Sequence, residues 1–216
     1  MNGYSIVFAL PKFSFNDYIN DMIIAIPAAT LIGITIFLTR RVKNPWFNRK
    51  IIHLSSVPAV FMYLYVFKEP YAFFTYGTLI TVLLVLHHLR KNEMTWFQIR
   101  GNLGEVYFAA SYSVMALTMW YMRELAVTVM LFMAVGDAVT GLVRMRICRE
   151  RCKHWIGSLA MLITTSIIGY VFLGSLGLLM AIIATLAERQ QFIDDNLGVP
   201  LASILTYLLV TPLITI

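Results

Sequence analysis

The longest uncharged run in the sequence extends over 31 residues, from Gly157 to Ala187. One straight helix of that length would rise about 1.5 Å per residue and exceed the ~30 Å hydrocarbon core of a bilayer. Glycine and serine cluster near its middle, at Gly174, Ser175 and Gly177. We therefore predict two membrane-crossing helices in this run, with the turn between them near Gly174.

The rest of the chain contains further apolar stretches, each close to the ~20 residues that a transmembrane helix needs. They are residues 22–39, 51–67, 71–89, 106–122, 125–143 and 197–216. The chain is 59% hydrophobic, above the ~45–50% of a soluble domain. We predict an all-α polytopic membrane protein with about eight transmembrane helices in one bundle. We expect residues 1–216 to form one domain, with residues 1–18 as an interfacial arm or short helix.

The distribution of Lys and Arg predicts the orientation of this bundle. Alternate loops at residues 40–50, 90–104, 144–155 and 188–196 contain 5, 3, 5 and 1 cations, or 14 of the 17. Short cation-rich loops stay on the cytoplasmic side. We therefore expect an integral protein of the cell membrane, or of the endoplasmic reticulum in a eukaryote, with both termini outside. Because the cations follow this pattern, the net charge of +6 does not indicate nucleic-acid binding.

Asp137 is the most unusual residue, because it lies inside the apolar stretch 125–143. An ionisable group at membrane depth is costly, so a functional role is the first hypothesis; the alternative is an interhelical hydrogen bond. Other charged residues fall near the same predicted face: Arg49, Lys50, Glu105, Lys153, Glu188 and Asp195. Cations of this kind bind phosphate, and carboxylates hold Mg²⁺. The sequence contains neither a P-loop nor a dinucleotide-binding glycine motif.

The two cysteines, Cys148 and Cys152, lie four residues apart in the most basic loop. The neighbouring sequence completes no familiar zinc spacing. We expect both thiols to be reduced and unligated.

Five short motifs occur in order along the chain: Arg49-Lys50-x-x-His53, Gly104-Glu105, Gly136-Asp137-Ala138, Lys153-x-x-x-Gly157-Ser158 and Asp195-Asn196-x-x-x-Pro200. This ordered set resembles the dolichol kinase and phytol kinase family of CTP-dependent polyprenol kinases. It departs from the family at Ile156, where a glutamate is common, and at Val143-Arg144, where a Gly-Arg pair is common. The Gly-Asp motif with its basic loop is also distantly similar to CDP-diacylglycerol synthases.

The resemblance implies transfer of the terminal phosphoryl group of CTP to a long isoprenoid alcohol at the cytosolic face, with Mg²⁺ or another divalent cation. Asp137, Asp195 and Lys153 are the expected catalytic residues, with Asp137 or Asp195 as metal ligand or base. Glu105 and Glu188 would complete the metal shell. The expected nucleotide-binding residues are Arg49, Lys50, His53, Gly136, Gly157, Ser158 and Asn196.

Several of these residues also have a plain structural interpretation. Asp194 fits a solvated turn, the glycines near 136 can serve helix packing, and His87 and His88 fit the membrane interface. Arg40, Arg41, Lys43, Arg146, Arg149 and Arg151 fit interfacial anchors. Three rival functions remain open: a kinase for phytol, geranylgeraniol or farnesol, a CDP-lipid-forming cytidylyltransferase, and a non-enzymatic ion transporter. The sequence does not determine the oligomeric state.

Overall fold

The computed structural model describes residues 10–91, 93–148 and 152–214, and within these ranges the chain is helical, with no strand beyond an isolated bridge between Ile99 and Asn102. The predicted all-α fold is therefore confirmed. The helices are α1 (Phe15–Ile24), α2 (Ile26–Thr39), α3 (Pro45–Ser55), α4 (Val57–Tyr65), α5 (Tyr71–Leu89), α6 (Gly104–Thr118), α7 (Arg123–Leu131), α8 (Asp137–Ile147), α9 (Trp155–Arg189) and α10 (Asp195–Ile214). A 3₁₀ turn (Trp120–Met122) precedes α7, and a π turn (Phe132–Gly136) joins α7 to α8.

The centre of the bundle is the run formed by α7, the π turn and α8. Residues 125–131 are all buried, as are Phe132, Met133 and Ala134. Burial on every side places this run in the interior of the bundle, whereas apolarity alone would not, since an apolar helix of a membrane protein can also face lipid. The helix pair within α9 and the helices α10, α6, α4 and α3 pack around this run. By contrast, α5 exposes Leu79, Val82, Leu83 and Leu86 on its outer face.

The helix α9 reverses direction at Gly174, where φ is 58° and ψ is −136°. A Cβ atom placed on Gly169 would clash with the carbonyl of Gly177, and one on Gly177 would clash with the carbonyl of Gly169. Eight residues of straight helix span about 12 Å, so this contact requires the chain to fold back. The predicted turn near Gly174 is thus confirmed, and α9 is an antiparallel helical hairpin.

This hairpin gives a direct stability prediction. We expect Gly177→Ala to destabilise the protein by about 1–3 kcal/mol, because the added methyl group forces apart two backbones in contact. Gly33→Ala is the matched control, since nothing lies within 4 Å of its added Cβ, and a helical Gly→Ala change stabilises by roughly 0.5–1 kcal/mol. Thermal unfolding in detergent micelles, followed by circular dichroism, measures both. Equal shifts for the two variants would contradict the hairpin.

The number of membrane-crossing helices differs from the predicted eight. Within the described residues, three helical stretches are long and apolar enough to cross: Tyr71–Leu89, Trp120–Ile147 and Trp155–Arg189, of which the last is the hairpin α9 counted once. A fourth results if α1 and α2, bent by 40°, count together. The predicted span 51–67 is broken at Ser56 between α3 and α4, and α6 has only 15 residues, or about 22 Å of rise. The prediction of eight full spans is therefore wrong by this measure.

The first helix begins within the N-terminal segment 1–18. Residues 1–9 of the expected arm lie outside the described residues, and α1 starts at Phe15, with the Ser14 side chain accepting the backbone N–H of Asp17. A serine at this position satisfies an otherwise free helix N–H. The start of α1 thus lies inside the segment for which the sequence predicts an interfacial arm or a short helix.

The four cation-rich loops meet at one end of the bundle. Asn48 donates from Nδ2 to the carbonyls of Thr39, Val42 and Trp96, and Arg49 donates to Asn102. Lys153 donates to Glu188 across the remaining pair of loops. Lys68 instead pairs with Asp17 in another part of the fold. The shared face that the charge pattern predicts is thus present, and it carries the candidate site.

Candidate functional site

Lys50 and Asp137 form the ion pair at the centre of the site. Lys50 lies in the second turn of α3, and its Nζ is 2.6 Å and 2.5 Å from the two carboxylate oxygens of Asp137. Both side chains are largely buried. The lysine stem crosses α8 at Gly141, where a Cβ atom would clash with Lys50 Cε. The glycine therefore opens the path by which Lys50 reaches the acid.

The π turn immediately before Asp137 fixes the position of its backbone. The Asp137 N–H donates to the carbonyl of Phe132, five residues earlier. Single π turns inside α-helices are rare and occur often at functional sites. Gly136 is buried against Thr165, whose Cγ2 would lie 2.7 Å from an added Cβ. The structure therefore gives Gly136, predicted as a nucleotide-binding residue, a helix-packing role.

His53 lies one turn beyond Lys50 on α3 and approaches Asp137 from the other side. Its Nδ1 is 3.4 Å from Asp137 Oδ2, and its ring stacks on Phe108 with centroids 3.8 Å apart. The ring is almost fully buried, and neither nitrogen makes a hydrogen bond within the described residues. The carboxylate of Asp137 thus lies between Lys50 and His53.

Arg144 binds Glu188 through both of its terminal nitrogens. Nη1 is 2.5 Å from Oε1, and Nη2 is 3.0 Å from Oε2. Nη2 also donates to Ser158 Oγ at 3.1 Å, and a Cβ on Gly157 would lie 2.5 Å from Arg144 Nε. Such paired arginine–carboxylate bonds fix geometry as well as charge. The Gly157-Ser158 pair, predicted to bind nucleotide, therefore accommodates and orients Arg144.

Lys153 lies between Glu188 and Asp195. Its Nζ donates to the backbone carbonyl of Glu188 and to Glu188 Oε1 at 2.9 Å, and it is 3.8 Å from Asp195 Oδ2. Lys153 thereby connects the loop before α9 to the start of α10. Its ammonium group remains partly exposed to the pocket described below.

Asp194 forms the cap of α10 and does not lie in a solvated turn. Its Oδ1 accepts the Asn196 N–H and the Asn196 side-chain amide, both at 3.0 Å. A carboxylate at this position satisfies free helix N–H groups and is stabilised by the helix dipole. Burial raises the pKa of Asp194, and the neighbouring Asp195 carboxylate raises it further. The cap fixes Asp195 and Asn196 at the site.

Glu105 belongs to a separate polar cluster. Its Oε1 is 2.7 Å from His88 Nε2 and 3.4 Å from Gln98 Nε2, and its Oε2 is 3.7 Å from Arg49 Nη2. Arg49 also donates to Asn102 Oδ1 at 2.7 Å. His88 is therefore a partly buried partner of Glu105, a contact that its predicted interfacial role does not include.

A polar pocket of about 460 Å³ collects most of the predicted site residues. Its charged lining comprises five cations and three carboxylates: Lys43, Arg49, Lys50, Arg144, Lys153, Asp137, Glu188 and Asp195. Asn196 also lines it, whereas Gly136, Ser158 and Gly157 lie behind its wall. The excess of cations favours a bound anion with several negative charges.

A second, apolar cavity of about 130 Å³ lies beside the polar pocket. Arg49 lines both, while His53 and Glu105 line only the apolar one. Its remaining walls are mainly alanine, isoleucine, leucine and phenylalanine side chains of α2 to α6 and the adjoining loops. The structure therefore separates His53 and Glu105 from the polar pocket in which the sequence analysis placed them.

The four predicted metal ligands do not form one shell. Within the parts of the chain that the structure describes, no three His, Cys, Asp or Glu side chains converge on a metal-sized position. Glu105 pairs with His88, and Glu188 pairs with Arg144. Asp137 and Asp195 both face the polar pocket. Magnesium commonly takes one or two carboxylates from the protein and completes its shell with water and substrate phosphates. Asp137 and Asp195 therefore fit a Mg²⁺ site better than the predicted shell of four protein ligands does.

The cysteines form a disulfide, so the expectation of two reduced thiols is wrong. The helix α8 ends at Cys148, whose backbone is extended (φ −109°, ψ 139°), and the Cα atoms of Cys148 and Cys152 are 6.4 Å apart. This separation is within the bridging range. Both cysteines line the polar pocket. Arg149 and Arg151, predicted as anchors, lie outside the described residues.

Sequence reasoning missed three contributors to this face: Arg144, His88 and Asn102. Arg144 is one of five cations in a single loop, and its burial alone distinguishes it from the exposed Arg146. His88 follows His87 at the end of an apolar stretch, and only helical phase separates the two. Nothing in the sequence marks Asn102 as a site residue except its position two residues before Gly104.

No protein-family model, curated protein or solved structure matches this chain.

Proposed function

We propose that this chain is a membrane-embedded kinase that transfers the terminal phosphoryl group of CTP to the hydroxyl group of a long, dolichol-like polyprenol. The observation that carries the proposal is the position of α3 between two unlike cavities. On one side lies the cation-rich polar pocket, and on the other lies the apolar cavity. Asp137 contacts Lys50, which lines the polar pocket, and His53, which lines the apolar cavity.

The polar pocket would hold the nucleotide. Lys50, Lys153 and Arg49 offer N–H donors for phosphate oxygens, and each is already held in place by a carboxylate or amide. Phosphoryl transfer needs mainly positioning and neutralisation of charge. The choice of CTP as donor rests on the motif resemblance. The cytosolic orientation of the pocket rests on the same resemblance and on the cation-rich loops at this face.

Asp137 and Asp195 are the residues that would hold a divalent cation, which neutralises phosphate charge when bound. Lys50 and Lys153 balance these carboxylates in the structure. Either lysine can turn from carboxylate to phosphate, because its ammonium donates in three directions. In the reaction the alcohol oxygen bonds to the terminal phosphorus, the bond to the bridging oxygen breaks, CDP leaves, and the hydroxyl proton passes to a base.

The test uses purified full-length chain in nanodiscs and CTP labelled at either the γ- or the α-phosphorus. We expect label in the lipid product from γ-labelled CTP only, with dolichol-length polyprenol, geranylgeraniol, phytol and farnesol as acceptors and ATP, GTP and UTP as competitors. Label from α-labelled CTP, with release of pyrophosphate, would instead identify a cytidylyltransferase. Ion flux in proteoliposomes without nucleotide turnover would identify a transporter.

The matched variants are Asp195→Asn and Glu124→Gln. Asp195 lines the polar pocket, whereas Glu124 is an exposed carboxylate in the first turn of α7. We expect the first variant to lower transfer on the order of 100-fold, by analogy with the loss of one preorganised charge-stabilising group. The second variant should retain wild-type activity. Absence of γ-label transfer to any of the four alcohols would refute the proposed function.

A further inference from the structure

A groove on the surface of the bundle lies between α3 and α8, the two helices that carry Lys50 and Asp137. Its volume is about 730 Å³, which is within the ~300–1,000 Å³ of small-molecule sites. The groove is open to its surroundings, since its two polar lining residues, Asn44 and Arg146, are both exposed. The rest of its lining is apolar: Val42, Phe47, Ile51, Leu142, Val143 and Met145. In a bundle surrounded by lipid, such a groove is accessible to an acyl chain.

The polar residues of the groove lie together at one end, because α3 and α8 run antiparallel along it. Asn44, just before α3, contacts Met145 near the end of α8, whereas Lys50 in the second turn of α3 contacts Asp137 at the start of α8. Arg146 therefore lies at the same end as Asn44, next to the cation-rich loops. The apolar lining continues from there along both helices. The groove thus has the polarity of an amphiphile, with a head at the loops and a chain along the helices.

The polar end of the groove is positively charged. No Asp or Glu lines the groove, and Arg146 makes no ion pair or hydrogen bond with any residue that the structure describes. Asn44 Nδ2 contacts the thioether sulfur of Met145 at 3.8 Å, and a thioether is a weak acceptor. Arg41 and Lys43 are exposed in the loop before α3. Because guanidinium and amide N–H groups both donate to phosphate oxygens, this end is complementary to a phosphate group.

We infer that an anionic glycerophospholipid binds in this groove, with its phosphate on Arg146 and Asn44 and one acyl chain along the apolar lining. The cation-rich loops predict that this end of the bundle is cytoplasmic, and the cytoplasmic leaflet contains the anionic lipids. A zwitterionic lipid would bring its own cation beside Arg146. Diacylglycerol would bring no phosphate to the donors. Lipid binding of this kind does not depend on the proposed function.

The bound lipid connects the two helices of the central ion pair. The helices α3 and α8 pack against each other, and Asn44 and Met145 line both the groove and the polar pocket. A ligand that binds only this packed arrangement stabilises it, so the lipid holds Lys50 opposite Asp137. Under the proposed function, the rate of phosphoryl transfer then depends on anionic lipid, and this regulatory part of the inference rests on that function.

The first experiment measures lipid binding without nucleotide. Full-length chain in phosphatidylcholine nanodiscs is photolabelled with phosphatidylglycerol or phosphatidylcholine carrying a diazirine at the same acyl position, and labelled residues are mapped by mass spectrometry. We expect at least fivefold more label on Ile51, Leu142 and Val143 from phosphatidylglycerol, because one cation near the surface contributes about fivefold in binding. Unlabelled phosphatidylglycerol should protect, and diacylglycerol, palmitate and inorganic phosphate should not. Equal labelling by both lipids, or equal protection by any of these three competitors, would overturn the phospholipid assignment.

Arg146→Gln and Arg100→Gln are the matched variants for this experiment. Each removes one exposed arginine from a cation-rich loop or its edge, but only Arg146 lines the groove. We expect Arg146→Gln to lower phosphatidylglycerol labelling at least about fivefold and Arg100→Gln to lower it less than about twofold. Leu142→Trp, or Val143→Trp if the former does not fold, fills the apolar part and should also reduce labelling. Equal losses for the two arginine variants, or full labelling of the folded tryptophan variant, would overturn the site.

The second experiment measures the effect of the lipid on stability and on activity. Phosphatidylglycerol in the nanodisc should raise the Tm of the wild type by about 2–4 °C, the shift that a fivefold effect gives in a chain of this size, and should leave the Tm of Arg146→Gln unchanged. It should also raise γ-label transfer at least about threefold in the wild type only. An equal Tm shift in both proteins would overturn the bridging role, and transfer at equal rates in both lipids would overturn the regulatory part. Lipid-specific labelling and a Tm shift without any transfer would leave the lipid site standing and refute only the proposed kinase function.

Discussion

Replacing Asp137 with asparagine should reduce phosphoryl transfer by on the order of 100- to 1,000-fold while retaining the shape of the side chain. The amide cannot balance Lys50 or His53, and it is a poor substitute for a carboxylate towards a divalent cation. The substitution also leaves the largely buried Lys50 without its counterion, which costs about 3–5 kcal/mol. Initial rates with γ-labelled CTP and thermal unfolding of the same sample measure both effects.

A double variant separates the chemical effect from the stability effect. Lys50→Met with Asp137→Leu removes both charges and keeps the volumes similar, so most of the lost stability should return. Activity should not return, because both proposed phosphate and metal contacts are gone. If the double variant recovered activity along with stability, the ion pair would be only structural. If Asp137→Asn alone were fully active, the proposed role of the acid would be wrong.

Replacing Arg144 with lysine should be nearly as damaging as removing its charge. Lysine cannot reproduce the two parallel bonds to Glu188 or the bond to Ser158. We expect a loss of about 3 kcal/mol, since a fully buried glutamate loses its main partner. Lys153 already donates to Glu188 and would become its main partner, so it could turn to phosphate less readily and the KM for CTP should rise as well.

The control for this variant is Arg146→Lys, two residues further along α8. Arg146 is exposed, whereas Arg144 is buried, and exposed charges contribute little to stability. Thermal unfolding and CTP saturation curves are recorded for both variants. Equal effects at the two positions would show that the paired bonds from Arg144 to Glu188 contribute no more to stability than a surface charge does.

The fold could be predicted from the sequence where the signal is local. The uncharged run ending at Ala187 is too long for one helix, and its glycines mark the reversal found at Gly174. The grouping of the basic loops at one face follows from their spacing along the chain. The break at Ser56 has a local signal in Pro58, in the first turn of α4, but a proline in an apolar stretch does not show whether the helix only kinks there or ends.

The site could be predicted less completely, because partners are set by tertiary packing. The sequence singles out Asp137 and Lys50, yet nothing local pairs two residues 87 positions apart. Arg144 and Arg146 look alike until helical phase buries one of them. The separation of Glu105 from the polar pocket depends on the partner His88 and on the orientation of α6.

The π turn before Asp137 makes the site depend on angular register. A π turn contains one residue more than an α turn, and each residue of an α-helix rotates the chain by about 100°. The core face of α7 and the pocket face of α8 are therefore offset by that extra residue between Phe132 and Gly136. If the same residues were wound as a regular α-helix, Asp137 would lie about 100° further around the helix axis and would no longer face Lys50. The wider π turn thus determines which side of the bundle the acid faces.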